Sequence, residues 1–463
     1  MPNNNSLRAS TPWCFRRHFI SSATLRGRRR ARQLCGWVGV AALWLLTPNS
    51  LIAQNRPAPA ASQQRARDLG IPFDGTPGQF NAITDVKGVE VGYKTLISGE
   101  GKLVVGKGPV RTGVTAILPR GKEGRSSVFA GFFSGNGNGD MTGTHWIEES
   151  GVLETPILIT NTNSVGVVRD AVISWLVQRN QPGDFWYPVV AETADWLLND
   201  IKGQHVTSQD ALDALNSATG GAIAEGNVGG GTGMICNGFK GGTGTASRKL
   251  DASDGGYVVG ALLQCNYGRW PQLRIAGIPV AREMNLPQKR CVQRQLSPPT
   301  RDPYDGTIAP VCDKGPIGRI DSANDRDVGS IIVVVATDAP LTPDQLKRLA
   351  RRVPLGLGRA GAIEMNGSGD LFIAFSTANL GVDEGNSTDA GSQQLPAEST
   401  TIKRLVSGRM DALFAAVVQA TEEAVDNALV AAQPMTGPNY WVVPALPHDQ
   451  LKDILRRHGV LTQ

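Results

Sequence analysis

Short apolar runs rich in β-branched residues alternate with helix-periodic segments from about residue 88 to residue 432. Gly or Pro bounds each apolar run, and most runs are apolar at every position rather than at alternate positions. A strand with that pattern is buried on both faces. The sequence therefore predicts an α/β or α+β fold in which sheets lie between other layers, and it argues against all-β and all-helical folds.

Individual elements follow from the same pattern. Thr342-Pro343-Asp344-Gln345 forms a capping box, because Thr342 can cap the first turn and Pro343 suits the first helical position. The longest helix is expected over 408–432, where apolar residues recur on one stripe. Strands are predicted at 88–93, 112–118, 127–133, 156–160, 257–264, 330–336 and 370–376, and other helices at 165–178, from 207 onward and from 342 onward.

The chain holds 55 glycines without a collagen-like period, which predicts many tight turns and close backbone contacts. Glycine is densest in residues 220–244. This segment lacks the Gly-Lys-Ser/Thr of a phosphate-binding loop, and it lacks the strand, GxGxxG and helix of a dinucleotide site. We interpret it as a pair of tight turns in which backbone packs on backbone.

Residues 1–53 have the pattern of an export signal, since arginines precede an apolar run that is short for a membrane span. A retained anchor, or a start site upstream of a shorter leader, is the alternative. Residues 54–68 are expected to form a flexible mature N-terminus. The remainder, 69–463, is within the size of a single large domain, and two domains stay possible.

The formal net charge of +5 comes from the leader. Residues 1–53 carry eight arginines and no acidic residue, so 38 basic residues remain against 41 acidic ones, a net charge of −3. Nucleic-acid binding therefore has no electrostatic support. No membrane association is expected after the leader is removed, and the export signal predicts a periplasmic location.

Four cysteines remain beyond the leader, and none forms a Cys-x-x-Cys pair. Cys291 and Cys312 bracket a Pro- and Arg-rich stretch, so they are a candidate disulfide in an oxidising compartment, with two unpaired cysteines as the alternative. The histidines beyond the leader have no partner at metal-ligand spacing. A metal site is therefore not expected.

The dipeptide Gly329-Ser330 lies where an Asp-rich loop meets a predicted buried strand. A serine at the head of such a strand is held rigidly, while the loop before it is free to leave after cleavage. If the Ser330 hydroxyl attacks the Gly329 carbonyl, hydrolysis of the resulting ester releases Ser330 with a free α-amine. A structural Gly-Ser turn and a Ser-His-Asp triad assembled in space are the alternatives.

Several segments together resemble the family of L-aminopeptidase/D-Ala-esterase-amidases and β-peptidyl aminopeptidases. The resemblance runs from about residue 69 to residue 431. The matching segments are 70–78 (GIPFDGTPG), 135–140 (GNGNGD), 143–146 (GTHW), 161–163 (NTN), 192–193 (ET), 226–234 (GNVGGGTGM), 329–341 (GSIIVVVATDAPL) and 366–370 (NGSGD).

This resemblance implies a four-layer αββα sandwich that cleaves itself into an α subunit, 54–329, and a β subunit, 330–463. The new N-terminal residue Ser330 would be the nucleophile. The other family roles fall on Ser368 and Asp370 as its partners, Asn266 as the oxyanion donor and Glu192 as the carboxylate that receives the substrate's amino group. A homotetramer of two-subunit protomers is also implied.

Each of these residues has an ordinary alternative: Ser368 and Asp370 could form a turn, Asn266 could cap a strand end, and Glu192 could be a surface acid. Two features depart from the family pattern. Ala194 stands where an aromatic residue of the oxyanion region is expected, and the stretch 290–326 is longer than the usual linker.

The sequence thus predicts an exported serine aminopeptidase that acts through an acyl-enzyme on short peptides, amides or esters with a free amino group. Neither a metal nor an organic cofactor is expected. The identity of the acyl side, an L-amino acid, D-Ala or a β-amino acid, stays open. A self-processing acyltransferase of related fold and a non-catalytic envelope binding protein are the competing hypotheses.

Overall fold

The computed structural model describes residues 63–284, 329–382 and 399–461, together with the backbone of 292–295 and 308–311. Within these residues the chain forms sixteen strands and eight α-helices. The strands are β1 Glu90–Ser98, β2 Val110–Leu118, β3 Val128–Gly137, β4 Val152–Leu153, β5 Ile157–Asn161, β6 Val189–Thr193, β7 Ile235–Cys236, β8 Phe239–Lys240, β9 Gly242–Lys249, β10 Val258–Asn266, β11 Val292–Gln295, β12 Ile308–Val311, β13 Ser330–Thr337, β14 Gly369–Ser376, β15 Met435–Thr436 and β16 Trp441–Val443. The helices are α1 Thr144–Ser150, α2 Val165–Gln178, α3 Ser208–Ser217, α4 Val280–Glu283, α5 Pro343–Ala350, α6 Val353–Arg359, α7 Asp411–Val430 and α8 His448–Arg457.

Two large sheets organise the described residues. One has four strands in the order β1-β2-β5-β6, and the other has six in the order β4-β3-β14-β13-β10-β9. At the centre of the larger sheet, β13 runs parallel to β14 and antiparallel to β10. Every residue of β13 and β14 is buried, as the continuous apolar runs of these strands predict.

The two sheets face each other across a shared apolar layer, and helices cover their outer faces. Ile117 and Ile159 of the smaller sheet pack with Ile332 and Ile373 of the larger one in this inner layer. The opposite face of the larger sheet packs against α5, α6, α7 and α8, and the outer face of the smaller sheet packs against α2 and α3. The order of layers is α, β, β, α, so the expected four-layer sandwich is confirmed.

All seven predicted strands occur, with ends that shift by a few residues. The helix predicted at 165–178 is α2, and the capping box begins α5, where the side-chain oxygen of Gln345 accepts the backbone N–H of Thr342 at 3.3 Å. The long helix is α7, which begins at Asp411 and ends at Val430.

The glycine-rich segment packs backbone on backbone, as expected. Residues Gly229–Gly233 form a short 3-10 helix that is buried throughout. Farther along, β9 lies so close to α7 that a Cβ on Gly244 would stand 2.0 Å from the carbonyl oxygen of Ala424. Any residue with a Cβ would collide with this carbonyl oxygen, which explains why position 244 requires glycine.

Of the segment 54–68, for which a flexible mature N-terminus was expected, the structure describes only residues 63–68. Arg65 pairs with the buried carboxylate of Glu225 at 2.6 Å, and Arg67 pairs with Glu423 at 2.7 Å. These contacts join the segment to the body of the fold, so the described part of it, from residue 63 onward, is fixed. Charge pairing holds these arginines in place, because Glu225 and Glu423 are buried carboxylates that require cationic partners, and Glu423 also pairs with Arg248.

The described residues all fall within one compact unit. A smaller sheet, β12-β11-β16-β15, and the hairpin β7–β8 lie outside the two large sheets. No helix among the described residues is long and apolar enough to span a bilayer.

Candidate active site

Ser330 is the first residue of β13, and its side chain is buried. Its Oγ donates a hydrogen bond of 2.8 Å to the carbonyl oxygen of Gly329, the residue directly before it. The same carbonyl oxygen accepts the backbone N–H of Gly369 at 3.1 Å. A hydroxyl therefore lies against the peptide group that the sequence marked for cleavage, and a backbone donor already holds that carbonyl.

Strand register brings two other residues to Ser330. Asn266, the last residue of β10, pairs directly with Ser330 across the antiparallel ladder. On the other side, Gly369 at the start of β14 pairs with Ser330 across the parallel ladder. Three strands thus meet in register at the head of β13, which fixes the surroundings of the hydroxyl through the main chain.

Ser368 and Asp370 are also brought together, because they are two residues apart and lie on the same face. The Oγ of Ser368 donates to Oδ1 of Asp370 at 2.7 Å, and both side chains are buried. Within the described residues, no hydrogen bond joins Ser330 to Ser368. Ser368 directly precedes Gly369, the residue that pairs with Ser330, but the two serines bond to different partners.

Two asparagines to which the sequence alone assigns no role hold the turn before Gly369. The Nδ2 of Asn136 donates to the carbonyl oxygens of Met365, at 3.1 Å, and of Ser368. The Nδ2 of Asn138 donates to the carbonyl oxygen of Gly367 at 2.7 Å. Both asparagines belong to the motif at 135–140, but only the fold shows which backbone groups they bind.

The side chain of Asn266 has a fixed orientation. Its Oδ1 accepts the backbone N–H of Ile235 at 2.8 Å, and its Nδ2 donates to the backbone carbonyl of Ala194 at 2.8 Å. Of the two N–H groups of this amide, one is committed to the Ala194 carbonyl and the other has no partner among the described residues. The backbone carbonyl of Ala194 thus holds the Asn266 side chain, although Ala194 lacks the aromatic side chain that was expected at this position.

A disulfide joins Cys236 and Cys265, directly beside Asn266. It connects the hairpin β7–β8 to β10, and both cysteines are fully buried. The sequence did not predict this pair, because 29 residues separate the two cysteines and only the fold brings them together. The pair predicted instead, Cys291 with Cys312, lies outside the described residues and stays a prediction.

Glu192 is at the end of β6, with only 3% of its surface exposed. Its Oε1 accepts the backbone N–H of Asp140 at 3.0 Å, and its Oε2 accepts the hydroxyl of Thr162. Burial raises the pKa of the Glu192 carboxyl above its usual value, although these hydrogen bonds oppose the shift. A buried carboxylate without a cationic partner among the described side chains suits a positively charged ligand.

The carboxylate of Glu192 lies close to the strands that hold the nucleophile. A Cβ added to Gly139 would stand 3.2 Å from Oε1 of Glu192 and 3.3 Å from Cα of Gly369. Only the narrow backbone of Gly139 therefore separates this carboxylate from the residue that pairs with Ser330. Glu192 therefore lies near the end of β14, where Gly369 pairs with Ser330.

Two further ionisable side chains near this region are fully buried. Burial raises the pKa of Asp195 to about 7, although hydrogen bonds from Thr112 and Asn199 act in the opposite direction. Burial also lowers the pKa of Lys240 well below its usual value, and its ammonium donates to the carbonyl oxygen of Gly241 at 2.7 Å. In the part of the chain that the structure describes, no three potential metal ligands cluster.

Comparison with protein families places the chain clearly. The family described as peptidase family S58 matches residues 81–443. The chain is 51% identical over 404 residues to the β-peptidyl aminopeptidase BapA of Sphingosinicella microcystinivorans, covering 87% of this chain and 94% of that protein. It is 45% identical over 424 residues to the β-peptidyl aminopeptidase BapA of Sphingosinicella xenopeptidilytica, covering 91% of this chain and 97% of that protein.

Solved structures agree with this placement. A β-aminopeptidase of Burkholderia sp. superimposes with a TM-score of 0.72 at 44% identity, covering 86% of this chain and 99% of that one. The L-aminopeptidase D-Ala-esterase/amidase of Ochrobactrum anthropi, described as a variant of the Ntn-hydrolase fold, gives 0.71 at 43% identity, with 86% and 99% covered. These matches confirm the resemblance seen in the sequence. The chain belongs to peptidase family S58 and is a hydrolase of the N-terminal-nucleophile aminopeptidase type.

Proposed function

We propose that this chain is a self-processing β-peptidyl aminopeptidase. It cleaves its own Gly329–Ser330 bond and then uses Ser330 to release N-terminal β-amino acid residues from short peptides. The observation that carries the proposal is the 2.8 Å contact between Oγ of Ser330 and the carbonyl oxygen of Gly329 at the head of a buried strand. The preference for a β-amino acid rests on the names of the relatives at 51% and 45% identity.

Self-processing begins when Oγ of Ser330 attacks the carbonyl carbon of Gly329. The new C–O bond replaces the peptide C–N bond, and the hydroxyl proton ends on the departing nitrogen, which becomes the α-amine of Ser330. Water then hydrolyses the ester. This step leaves a carboxylate on Gly329 and returns the hydroxyl of Ser330.

Turnover repeats the same chemistry on a substrate. The hydroxyl of Ser330 attacks the substrate carbonyl, the amine product leaves with a proton, and water hydrolyses the acyl-enzyme. The freed α-amine is one candidate base, because the α-amino group of a peptide ordinarily has a pKa of about 8. Ser368, oriented by Asp370, is the other, and its bond to Ser330 would form after the Gly329 carbonyl has left.

Charge and amide groups supply the remaining roles. Asn266 would donate its uncommitted N–H to the oxyanion of the substrate, on the same face as the Ser330 side chain. Glu192 would bind the substrate's ammonium group, which also satisfies a carboxylate that is otherwise buried without a cation. A free amino terminus at a fixed distance from the scissile bond is what makes the enzyme an aminopeptidase.

The experiment is a substrate panel of β-homoaminoacyl and L-α-aminoacyl p-nitroanilides and D-Ala amide, with N-acetylated versions as matched controls. We expect hydrolysis of the β-homoaminoacyl compounds and none of their acetylated forms. Ser330→Ala should give a single uncleaved chain without turnover. Hydrolysis of acetylated substrates, or wild-type turnover by Ser330→Ala, would contradict the proposal.

We also propose that the protein is exported to the periplasm and forms a homotetramer. The disulfide between Cys236 and Cys265 suits an oxidising compartment, and the N-terminal pattern suits an export signal. Large apolar side chains such as Phe185, Ile363 and Val406 are exposed and are candidates for subunit contacts. Cell fractionation and light scattering of the purified protein test these two proposals.

A further inference from the structure

We infer that self-cleavage and turnover use different oxyanion donors: the backbone N–H of Gly369 acts on the Gly329 carbonyl during self-cleavage, and the side chain of Asn266 acts on the substrate during turnover. The inference rests on the proposed function, since it assumes that Ser330 is the nucleophile in both reactions. It assigns a role in maturation to a backbone group that the sequence does not reveal.

A donor is already in place at the bond to be cleaved. The N–H of Gly369 donates to the Gly329 carbonyl oxygen at 3.1 Å. As Ser330 attacks, negative charge develops on that oxygen, and a donor at this distance stabilises it. The Asn266 amide, by contrast, donates to the carbonyl oxygen of Ala194 at 2.8 Å and, among the described hydrogen bonds, makes none to the Gly329 carbonyl.

The two donors also point in different directions. Gly369 and Ser330 are paired across the β13–β14 ladder, so the Gly369 N–H lies in the plane of the sheet and meets a carbonyl that continues the backbone of β13. Asn266 is the direct cross-strand partner of Ser330, and side chains of such a pair project to the same face. A substrate attached to Oγ lies on that face, next to Asn266.

Side chains behind Gly369 hold its N–H in place. Asn136 and Asn138 bind the carbonyls of the turn 365–368, and the Ser368 N–H donates to the Met365 carbonyl at 2.8 Å. The register between β14 and β3 also shifts after Asp370, which leaves Gly135 unpaired beside the turn. These contacts fix the direction of the Gly369 N–H, so Asn136 and Asn138 are positioning residues.

The test replaces one backbone N–H by an ester oxygen. Glycolic acid is incorporated in place of Gly369 during cell-free synthesis, and the appearance of the two fragments is followed on denaturing gels. Gly256 is the matched control, because its N–H also donates to a backbone carbonyl, that of Asp251, at 2.9 Å but far from the site. We expect the ester at 369 to slow self-cleavage by about 10²-fold or more, and the ester at 256 to leave it unchanged.

Asn266→Ala completes the comparison. We expect this variant to cleave itself at nearly the wild-type rate and then to turn over substrate about 10²–10³-fold more slowly. Equal self-cleavage of the two ester proteins would overturn the inference, as would an Asn266→Ala chain that stays uncleaved. If instead Ser330→Ala still cleaves, the proposed function fails, whichever donor is used.

A second variant guards against misfolding of the ester protein. Asn136→Ala should slow self-cleavage by about tenfold or more, because one oxyanion donor loses its alignment. Asn379 is the matched control, since its side chain binds the backbone N–H and carbonyl of Lys403, at 2.9 Å each, beyond the other end of β14. Unchanged self-cleavage in Asn136→Ala, or equal slowing in Asn379→Ala, would count against the inference.

Discussion

Asn266 and Ser330 are directly paired residues on adjacent antiparallel strands of the six-stranded sheet. Asn266 ends its strand and Ser330 begins its strand, so both residues lie at the same edge of the sheet, with their side chains on one face. A third strand, which begins at Gly369, reaches the same level. The main chain of three strands therefore fixes how far apart the backbones of Ser330 and Asn266 lie, and the side-chain rotamers then set the distance between the hydroxyl and the amide.

Glu192→Gln tests the carboxylate that we propose for amine recognition. Because the pKa of Glu192 is raised, the carboxyl should lose its charge at a higher pH than an ordinary glutamate, and kcat/KM should rise with pH as it ionises. We expect Glu192→Gln to lower kcat/KM by about thirtyfold or more and to remove this acid limb. The exposed Glu123 is a control, and its change to Gln should leave the pH profile as it is.

The disulfide beside Asn266 can be removed with Cys236→Ala and Cys265→Ala together. A closed loop of this length contributes about 3 kcal/mol to the free energy of unfolding, which urea denaturation measures. Since Cys265 directly precedes Asn266, we also expect kcat to fall more than KM changes. A double variant with wild-type stability and wild-type kcat would show that the disulfide has neither role.

Gly244→Ala tests the close approach of β9 to α7. The added Cβ would stand 2.0 Å from the Ala424 carbonyl oxygen and 2.8 Å from Cβ of Ala428. We expect a loss of about 1–3 kcal/mol in the free energy of unfolding. Gly358→Ala in α6 is the control, because nothing lies within 4 Å of a Cβ added there. Alanine in a helix should instead raise the free energy of unfolding by about 0.5–1 kcal/mol. Thermal denaturation should show shifts of opposite sign.

Glu423 is buried between two arginines, at 2.7 Å from Arg67 and 2.7 Å from Arg248. Glu423→Gln leaves buried positive charge without its partner and should lower the free energy of unfolding by about 3–5 kcal/mol. In contrast, Glu148→Gln breaks the exposed pair with Lys347 and should cost at most about 1 kcal/mol. Similar losses of unfolding free energy in the two variants would contradict the idea that the buried ion pair matters more than the exposed one.

The sequence predicted the central strands because burial on both faces requires apolar residues at every position. It did not predict β9, where seven of eight residues are buried although the strand consists of Gly, Thr, Ala, Ser, Arg and Lys. Backbone pairing with β10 and close contact with α7 make this segment a strand. Such contacts leave no apolar pattern in the local sequence.

By itself, the sequence determined the layered α/β class, the family resemblance and the choice of Gly329–Ser330 as the candidate cleavage bond. Only the tertiary structure decided that Asn266 pairs with Ser330, that Cys236 pairs with Cys265, and that the Gly369 N–H meets the Gly329 carbonyl. The physical reason is that apolar periodicity and turn residues act over a few positions along the chain. Strand register and hydrogen-bond direction are instead set between segments that lie far apart in the sequence.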